Sequence, residues 1–401
     1  MALRAVEWRR LPVPLTELCI DTTLCCGQSF RWRQSAPGEW SCALHGRIVS
    51  LRQDPTHLHY RAFFPAALPN PPSSAAGEDD TLALVRHYLN LAPNLTQLYE
   101  LWAAADDNFK KRAPKFTGIR ILRQDPWEAL IAFICSSNNN IARISSMVHK
   151  LCTHYGPLIG HLDNEPYHDF PTPVALAGPG VEAHLVKLGF GYRARYIANT
   201  AKMIAQDKGL TWLEALCNPE SPVPGERPKS AGGLVEGGRQ GYQKAHQELL
   251  TLQGVGPKVA DCVCLMGLGW SESVPVDTHV WQIAQRDYRF AKGRHNSLTA
   301  VTYAAVANRF RNLWGKEAGW AHSVLFAADL KTFSERVVAK TKVKKEEIIV
   351  KEEAEIPQLI EKVERTITTK RKRVKKEADE LETQVIENKA TVKRSKRNRA
   401  R

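Results

Sequence analysis

The chain has 401 residues, 43% of them hydrophobic, with nine cysteines, a formal charge of +14 and a pI near 9.4. That length allows two or three packed domains, and the basic balance points to a polyanionic partner. An odd cysteine count without a secretory signal excludes a disulfide-framed secreted module, and no apolar run reaches membrane-spanning length, which leaves a reduced intracellular setting and no membrane partner.

Residues 1–26 carry Trp8, Arg9 and Arg10 on an apolar stretch too short for secretion. Three arginines and one acid in the first thirteen residues also fit a weak mitochondrial targeting signal. From Gly27 to Phe64 apolar residues alternate (Phe30 and Trp32; Trp40, Cys42 and Leu44; Ile48, Val49 and Leu51; Leu58, Tyr60 and Ala62) with His-Gly and Asp-Pro breaks, the pattern of an antiparallel meander. Pro65 to Asp80 reads as a loop. Helices then take over. Asp125-Pro126-Trp127-Glu128 combines a cap, a first-turn proline and a glutamate at the third helical position, and the apolar run behind it predicts a central helix. Further helices are predicted over 141–155, 181–188 and 192–206, with Gly156 and Gly189 as terminators. Residues 218–241, with four prolines and six glycines, read as a flexible insertion.

A helix from Tyr242 to Leu252, the turn Gln253-Gly254-Val255-Gly256 and a second helix from Pro257 to about Gly267 follow. Proline at the first helical position loses no hydrogen bond. Val259, Cys262, Val263 and Met266 fall on one buried face. Two glycines bring backbone close to a partner and leave amide groups bare at a helix start, which suits a phosphate. A tight hairpin inside a core is the alternative. Lys258 lies in the first turn of the second helix and Cys262 one turn on. That helix is about 16 Å long at 1.5 Å per residue. Leu268 to Val276 can span it backwards at about 3.3 Å per residue, so Asp277 can return beside Lys258. A neutral lysine amine attacks C1′ of a sugar and forms a Schiff base. Equally, Lys258 could touch only phosphate and Asp277 only cap the next helix. A helix through Ile283 and a last helix over 317–330 complete the body. Residues 334–401 hold 21 Lys/Arg and 13 Asp/Glu, a net +8 that leaves +6 on the body, too modest for a histone-like protein. This stretch reads as a disordered basic tail, and Lys370-Arg371-Lys372-Arg373-Val374-Lys375-Lys376 as a nuclear import signal or DNA-binding arm.

The hairpin, Lys258 and Val274-Pro275-Val276-Asp277-Thr278-His279 together resemble the helix-hairpin-helix DNA glycosylase superfamily. Gly27-Gln28-Ser29-Phe30-Arg31-Trp32-Arg33, the run from Arg123 to Arg143, Leu188 to Tyr196 and Gly319 to Leu330 resemble the eukaryotic 8-oxoguanine DNA glycosylases over most of residues 8–333. No cysteine follows Cys264, so the iron–sulfur loop of relatives resembling endonuclease III cannot form.

The resemblance implies an α+β chain: an N-terminal antiparallel β-sheet domain (1–116), a mainly α-helical two-lobed body (117–333) with the hairpin at 242–267, and the tail. It implies a bifunctional glycosylase and AP lyase excising 8-oxoguanine opposite cytosine, with Lys258 as nucleophile and Asp277 steadying the cationic sugar and the lysine proton. The Gly27 carbonyl would accept the lesion's N7–H, Phe326 and Cys262 would sandwich the base, and His322 stands where the family usually has a glutamine reading the base edge. Asn138, Arg143, Tyr192 and Arg193 would fill the hole left by the extruded nucleotide and contact the orphaned cytosine. Gly254, Gly256, Val259 and His279 would hold phosphate, and the carbonyls of Leu250, Leu252 and Val255 a bridging cation. No cofactor and no catalytic metal are expected, since no His, Cys or carboxylate cluster has metal spacing. The partner is double-stranded DNA containing oxidised guanine, bound by a monomer in the nucleus and, by the N-terminal signal, the mitochondrion. A related glycosylase with another base preference, prompted by His322, and a DNA-binding module without chemistry are the competing readings.

Overall fold

The computed structural model describes residues 2–66, 79–222, 226–290 and 297–330, with four isolated positions, 369, 370, 373 and 380, beyond them. Most of the loop over 65–80, and the tail with its basic run apart from Lys370 and Arg373, lie outside the described residues. Residues 1–333 form one compact unit.

Strands β1 (Leu3–Ala5), β2 (Arg9–Pro12), β3 (Arg33–Ala36), β4 (Glu39–Leu44), β5 (Arg47–Gln53) and β6 (His57–Pro65) make one antiparallel sheet in the order β1-β6-β5-β4-β3, with β2 also on β6. The β4–β5 turn is His45-Gly46, with φ of +49° and +77°, which matches the twist of a two-residue hairpin. The expected meander thus forms, and the N-terminal segment joins it: Leu3 pairs with Pro65 and Arg9 with Tyr60. A short helix α1 (Ile20–Thr23) and α2 (Thr81–Tyr88) cover one face, where Leu18, Trp32, Val49, Leu51, Leu58 and Val85 pack together.

The body holds α3 (Leu95–Ala105), α4 (Asp107–Arg112), α5 (Pro126–Cys135), α6 (Ile141–Tyr155), α7 (Pro173–Ala177), α8 (Val181–Lys187) and α9 (Arg193–Lys202). It continues with α10 (Leu210–Ala215), α11 (Gln240–Leu250), α12 (Pro257–Met266), α13 (Thr278–Tyr288), α14 (Ala300–Trp314) and α15 (Ala318–Asp329). Between α6 and α7 a hairpin of β7 (Leu158–Leu162) and β8 (Glu165–His168) packs Ile159 and Tyr167 against Ala43, Ile48 and Phe63 of the large sheet. The helix predicted over 192–206 passes at Met203 into a π-helical turn that ends at Lys208. Past Asp277 the helix runs beyond Ile283 to Tyr288, and α14 stands where no element was predicted.

α5 is the axis of the body. Every residue from Trp127 to Cys135 is buried, and α12 packs along it. The Asp125 side chain accepts from the Glu128 amide at 2.9 Å, as the cap signal requires. Glu128 does not reciprocate to the cap; it takes Arg31 Nε at 2.9 Å and a terminal Arg31 nitrogen at 2.7 Å, a buried fork that ties the strand side to α5. Leu95, Trp102, Phe109, Cys26 and Phe30 belong to the helical core although they precede residue 116.

Candidate active site

α12 sits over α5 and the return segment from Leu268 brings Asp277 back, so Lys258 and Asp277 line one recess. Gly27 and Cys26 close it from the strand side, Phe133 from α5, Cys262 and Met266 from α12, and His322 and Phe326 from α15. Lys258 is half-buried, with its ammonium nitrogen 5.5 Å from the Phe133 ring centroid and 3.3 Å from Ser136 Oγ, to which it donates. Asp277 caps α13, its Oδ1 accepting from the Val280 amide at 2.9 Å. The capping alternative therefore holds, and it still leaves a second carboxylate oxygen for the recess. Burial pushes the Cys262 thiol up to about 11, with Lys258 pulling the other way, so it stays a thiol.

Gly27 is placed by its neighbour. Gln28 donates to the Arg120 carbonyl at 2.8 Å and accepts from the Leu122 amide at 2.9 Å, while its own carbonyl takes Gln124 at 2.9 Å. Gly27 adopts φ +86°, a backbone conformation that asks for glycine, and a Cβ would press on the Ile141 side chain at 3.1 Å. His322 is 6% exposed, and neither ring nitrogen has a hydrogen-bond partner among the described residues. Burial lowers it to about 4, so it is a neutral imidazole. Its ring lies 6.5 Å from Phe326, and the exposed His279 meets Phe326 edge-on at 6.1 Å.

Of the four groups expected to fill an extrusion gap, Asn138 lies in the turn after α5, Tyr192 and Arg193 at the start of α9, and Arg143 on α6. Asn138 is exposed with φ +47°. The Tyr192 hydroxyl donates to the Ser137 carbonyl at 3.1 Å, and Arg193 donates to the carbonyls of Ser137 and, at 3.1 Å, Asn138. Arg193 is thus buried on protein carbonyls rather than offered to solvent, and its Nε is unpartnered among the described residues. Arg143 projects outward from the first turn of α6.

The hairpin α11–α12 adjoins this group. Gly254, at φ +83°, lies against the Tyr196 ring of α9, where any Cβ would collide. Gly256 precedes Pro257, and nothing lies within 4 Å of where its Cβ would be. No side chain caps α12, so the amides of its first turn, Val259 among them, are free for an anion. Of the three carbonyls expected to hold a cation, that of Leu252 accepts from the Val255 amide at 3.2 Å. Among the described residues, no group of three His, Cys, Asp or Glu side chains could hold a metal ion.

A family model described as 8-oxoguanine DNA glycosylase, N-terminal domain, matches residues 10–130, and one described as HhH-GPD superfamily base excision DNA repair protein matches residues 131–313. The N-glycosylase/DNA lyase of Saccharomyces cerevisiae is 35% identical over 356 residues, covering 81% of this chain and 86% of that protein. The chain belongs to the 8-oxoguanine DNA glycosylase family. The N-glycosylase/DNA lyase OGG1 of Arabidopsis thaliana is 36% identical over 328 residues, with 81% and 80% covered. A solved structure of MBOgg1 in complex with a low-affinity DNA ligand superposes with a TM-score of 0.63 at 25% identity, covering 82% of this chain and 98% of that one. The Clostridium acetobutylicum 8-oxoguanine glycosylase/lyase shares the fold at a TM-score of 0.62 and 22% identity, over 81% and 98% of the two chains.

For a member of this glycosylase family, sequence reasoning missed Ser136 and Phe133 beside the amine and Met266 in the wall of the recess. Phe133 and Met266 lie in apolar runs that read as core, and Ser136 stands in a polar stretch that marks only a helix end. The signal for Phe133 was available, since a helix hydrophobic all round must pack against something on every side.

Proposed function

We propose that the protein is a bifunctional DNA glycosylase and AP lyase that removes 8-oxoguanine, and formamidopyrimidine, from opposite cytosine in base excision repair. The observation that carries this is the shared recess: a lysine amine and an aspartate carboxylate line one hollow walled by Phe326, Cys262 and Gly27. The Lys258 lone pair forms the bond to C1′ as the bond from C1′ to the base breaks. The departing electron pair leaves with the base, which takes up a proton released by the new C1′ amine. The ring oxygen then leaves C1′ and is protonated, giving a protonated Schiff base. Loss of a C2′ proton expels the 3′ phosphate. Asp277, fixed by its own cap bond, places negative charge beside the developing cation.

Phe326 and Cys262 stack the base, the Gly27 carbonyl accepts N7–H, and His322 meets the base edge. Asn138, Arg143, Tyr192 and Arg193 fill the gap, with Arg193 exchanging two protein carbonyls for the O2 and N3 acceptors of cytosine. The amides around Gly254, Gly256 and Val259, together with His279, hold phosphate, and the carbonyls of Leu250, Leu252 and Val255 a bridging cation. The enzyme acts as a monomer on duplex DNA in the nucleus, with a mitochondrial share.

Borohydride trapping tests this directly. Wild-type protein should become covalently linked to an 8-oxoguanine duplex, and Lys258→Gln should abolish the link while binding the same DNA. A trapped adduct in that variant would remove Lys258 from the mechanism. A second reading, another base preference, is favoured by the two free nitrogens of His322, and relative rates on 8-oxoguanine, formamidopyrimidine and alkylated purines decide between them.

A further inference from the structure

The Lys258 amine donates to Ser136 Oγ at 3.3 Å, and Ser136 in turn donates its hydroxyl proton to the Phe133 carbonyl at 2.7 Å. A serine hydroxyl carries a single hydrogen. Toward Lys258, then, this oxygen has only lone pairs to offer: it accepts from the amine and cannot donate to it. We infer that Ser136 is a positioning residue for the Lys258 amine, engaging one N–H so that the nitrogen lone pair is left facing the recess. The inference rests on Lys258 being the nucleophile, as read above.

The chemistry gives that arrangement a purpose. A hydroxyl free to rotate would donate into the lone pair of a neutral amine, the same pair that must form the bond to C1′. The Phe133 carbonyl prevents this by holding the hydroxyl proton. It is available because α5 ends there: Ser136 is the C-terminal cap residue, and its amide also donates to Phe133 at 3.0 Å. Cys262, near the amine, remains a thiol, so no thiolate is there to tie the amine down as an ion pair. The Phe133 ring supplies the floor, 5.5 Å from the nitrogen. Ser136 also begins the turn whose next two carbonyls are held by Tyr192 and Arg193. Asn138, the two carbonyls held by Tyr192 and Arg193, and the atom that orients the nucleophile therefore share one short piece of backbone.

Full-length Ser136→Ala and Ser136→Thr are compared with wild type in two measurements: single-turnover excision from an 8-oxoguanine duplex, and equilibrium binding to a duplex carrying a tetrahydrofuran abasic analogue. Misplacement of a reacting group costs up to about a hundredfold, so Ser136→Ala should slow excision by about ten- to hundredfold. Its dissociation constant should change by less than about threefold, the split expected when an interaction acts on the chemical step rather than on binding. Ser136→Thr keeps the oxygen and should recover most of the rate. An alanine variant as fast as wild type overturns the inference. So do equal losses of rate and binding, which a merely structural serine would give, and so does a threonine variant as slow as alanine. Wild-type protein that excises nothing overturns the reading of Lys258 and this inference with it, an outcome distinct from the other three.

Discussion

Burial holds the His322 imidazole down to about 4, from an ordinary value of 6.5, while Asp277 pulls in the opposite direction. The unfolded chain therefore binds a proton between those two values that the folded protein refuses. The stability tied to the neutral ring is fully present above pH 6.5 and is lost as pH falls through 4, in total about 3 kcal/mol. His87 and His149 are also lowered to about 4, by burial and then by nearby arginines, so acid sensitivity accumulates in the same window. Urea unfolding at pH 7.5 and pH 5.0 should show a marked drop for wild type, and His322→Gln should shrink that drop by about 2 kcal/mol. An unchanged drop would mean that His322 is solvated in the folded protein. The same neutrality bears on recognition: across the pH range of any assay on DNA the ring presents one donor and one acceptor to whatever base enters.

At the scale of elements, the two glycines of the hairpin turn separate structure from binding. Gly254 needs its glycine for the fold, since its φ is +83° and the Tyr196 ring fills the space of a Cβ. Gly256 has φ −93° with open space around it, a conformation alanine adopts freely. Gly254→Ala should therefore lower the urea midpoint. Gly256→Ala should leave stability within about 1 kcal/mol of wild type, because restricting the unfolded chain offsets little else. If the open side of Gly256 is where a phosphate backbone approaches, that same variant should weaken duplex binding at least about tenfold, as one lost close contact of about 1.4 kcal/mol does. Wild-type affinity in Gly256→Ala would place the DNA elsewhere. Both hairpin helices were legible from sequence because Pro257, the turn glycines and the Val259-Cys262-Val263-Met266 face agree. α14 was not, because its first half is exposed, with Val301 among the most exposed apolar side chains, and its buried residues, Val306, Ala307, Phe310, Arg311 and Trp314, are confined to the second half and include a charged one. β7 and β8 were hidden by Pro166, which argues against a strand, although Asp163-Asn164, with φ of +52° and +65°, is a good two-residue turn.

At the scale of the whole molecule, composition misled where pairing is long-range. Residues 218–241 read as flexible because of their glycines and prolines, yet Arg239 within them is fully buried. Its Nε donates to Glu272 Oε1 at 2.9 Å, one terminal nitrogen reaches Glu272 Oε2 at 2.8 Å and the other Glu220 at 2.5 Å. Asn218 is tied at the opposite end, its amide donating to the Leu268 carbonyl at 2.8 Å and its side chain to Gly269 at 2.9 Å. Nothing local in the sequence pairs Arg239 with Glu272, 33 residues on, so composition alone reads the segment as a loose loop. The anchor also grips the return segment that leads to Asp277, since Glu272 lies within it. Glu272 is itself 0% exposed, so removing its partner leaves a charge with no water to solvate it. Arg239→Ala should then cost about 3–5 kcal/mol in urea unfolding, whereas replacing both Arg239 and Glu272 by methionine should recover most of that, because neither charge then has to be buried. A loss below about 1 kcal/mol in the single variant is what an exposed, solvated pair would give. That result would return the whole segment to the status of a tolerated loop, and it would remove the reason to think that the Asp277 side of the recess is braced from behind.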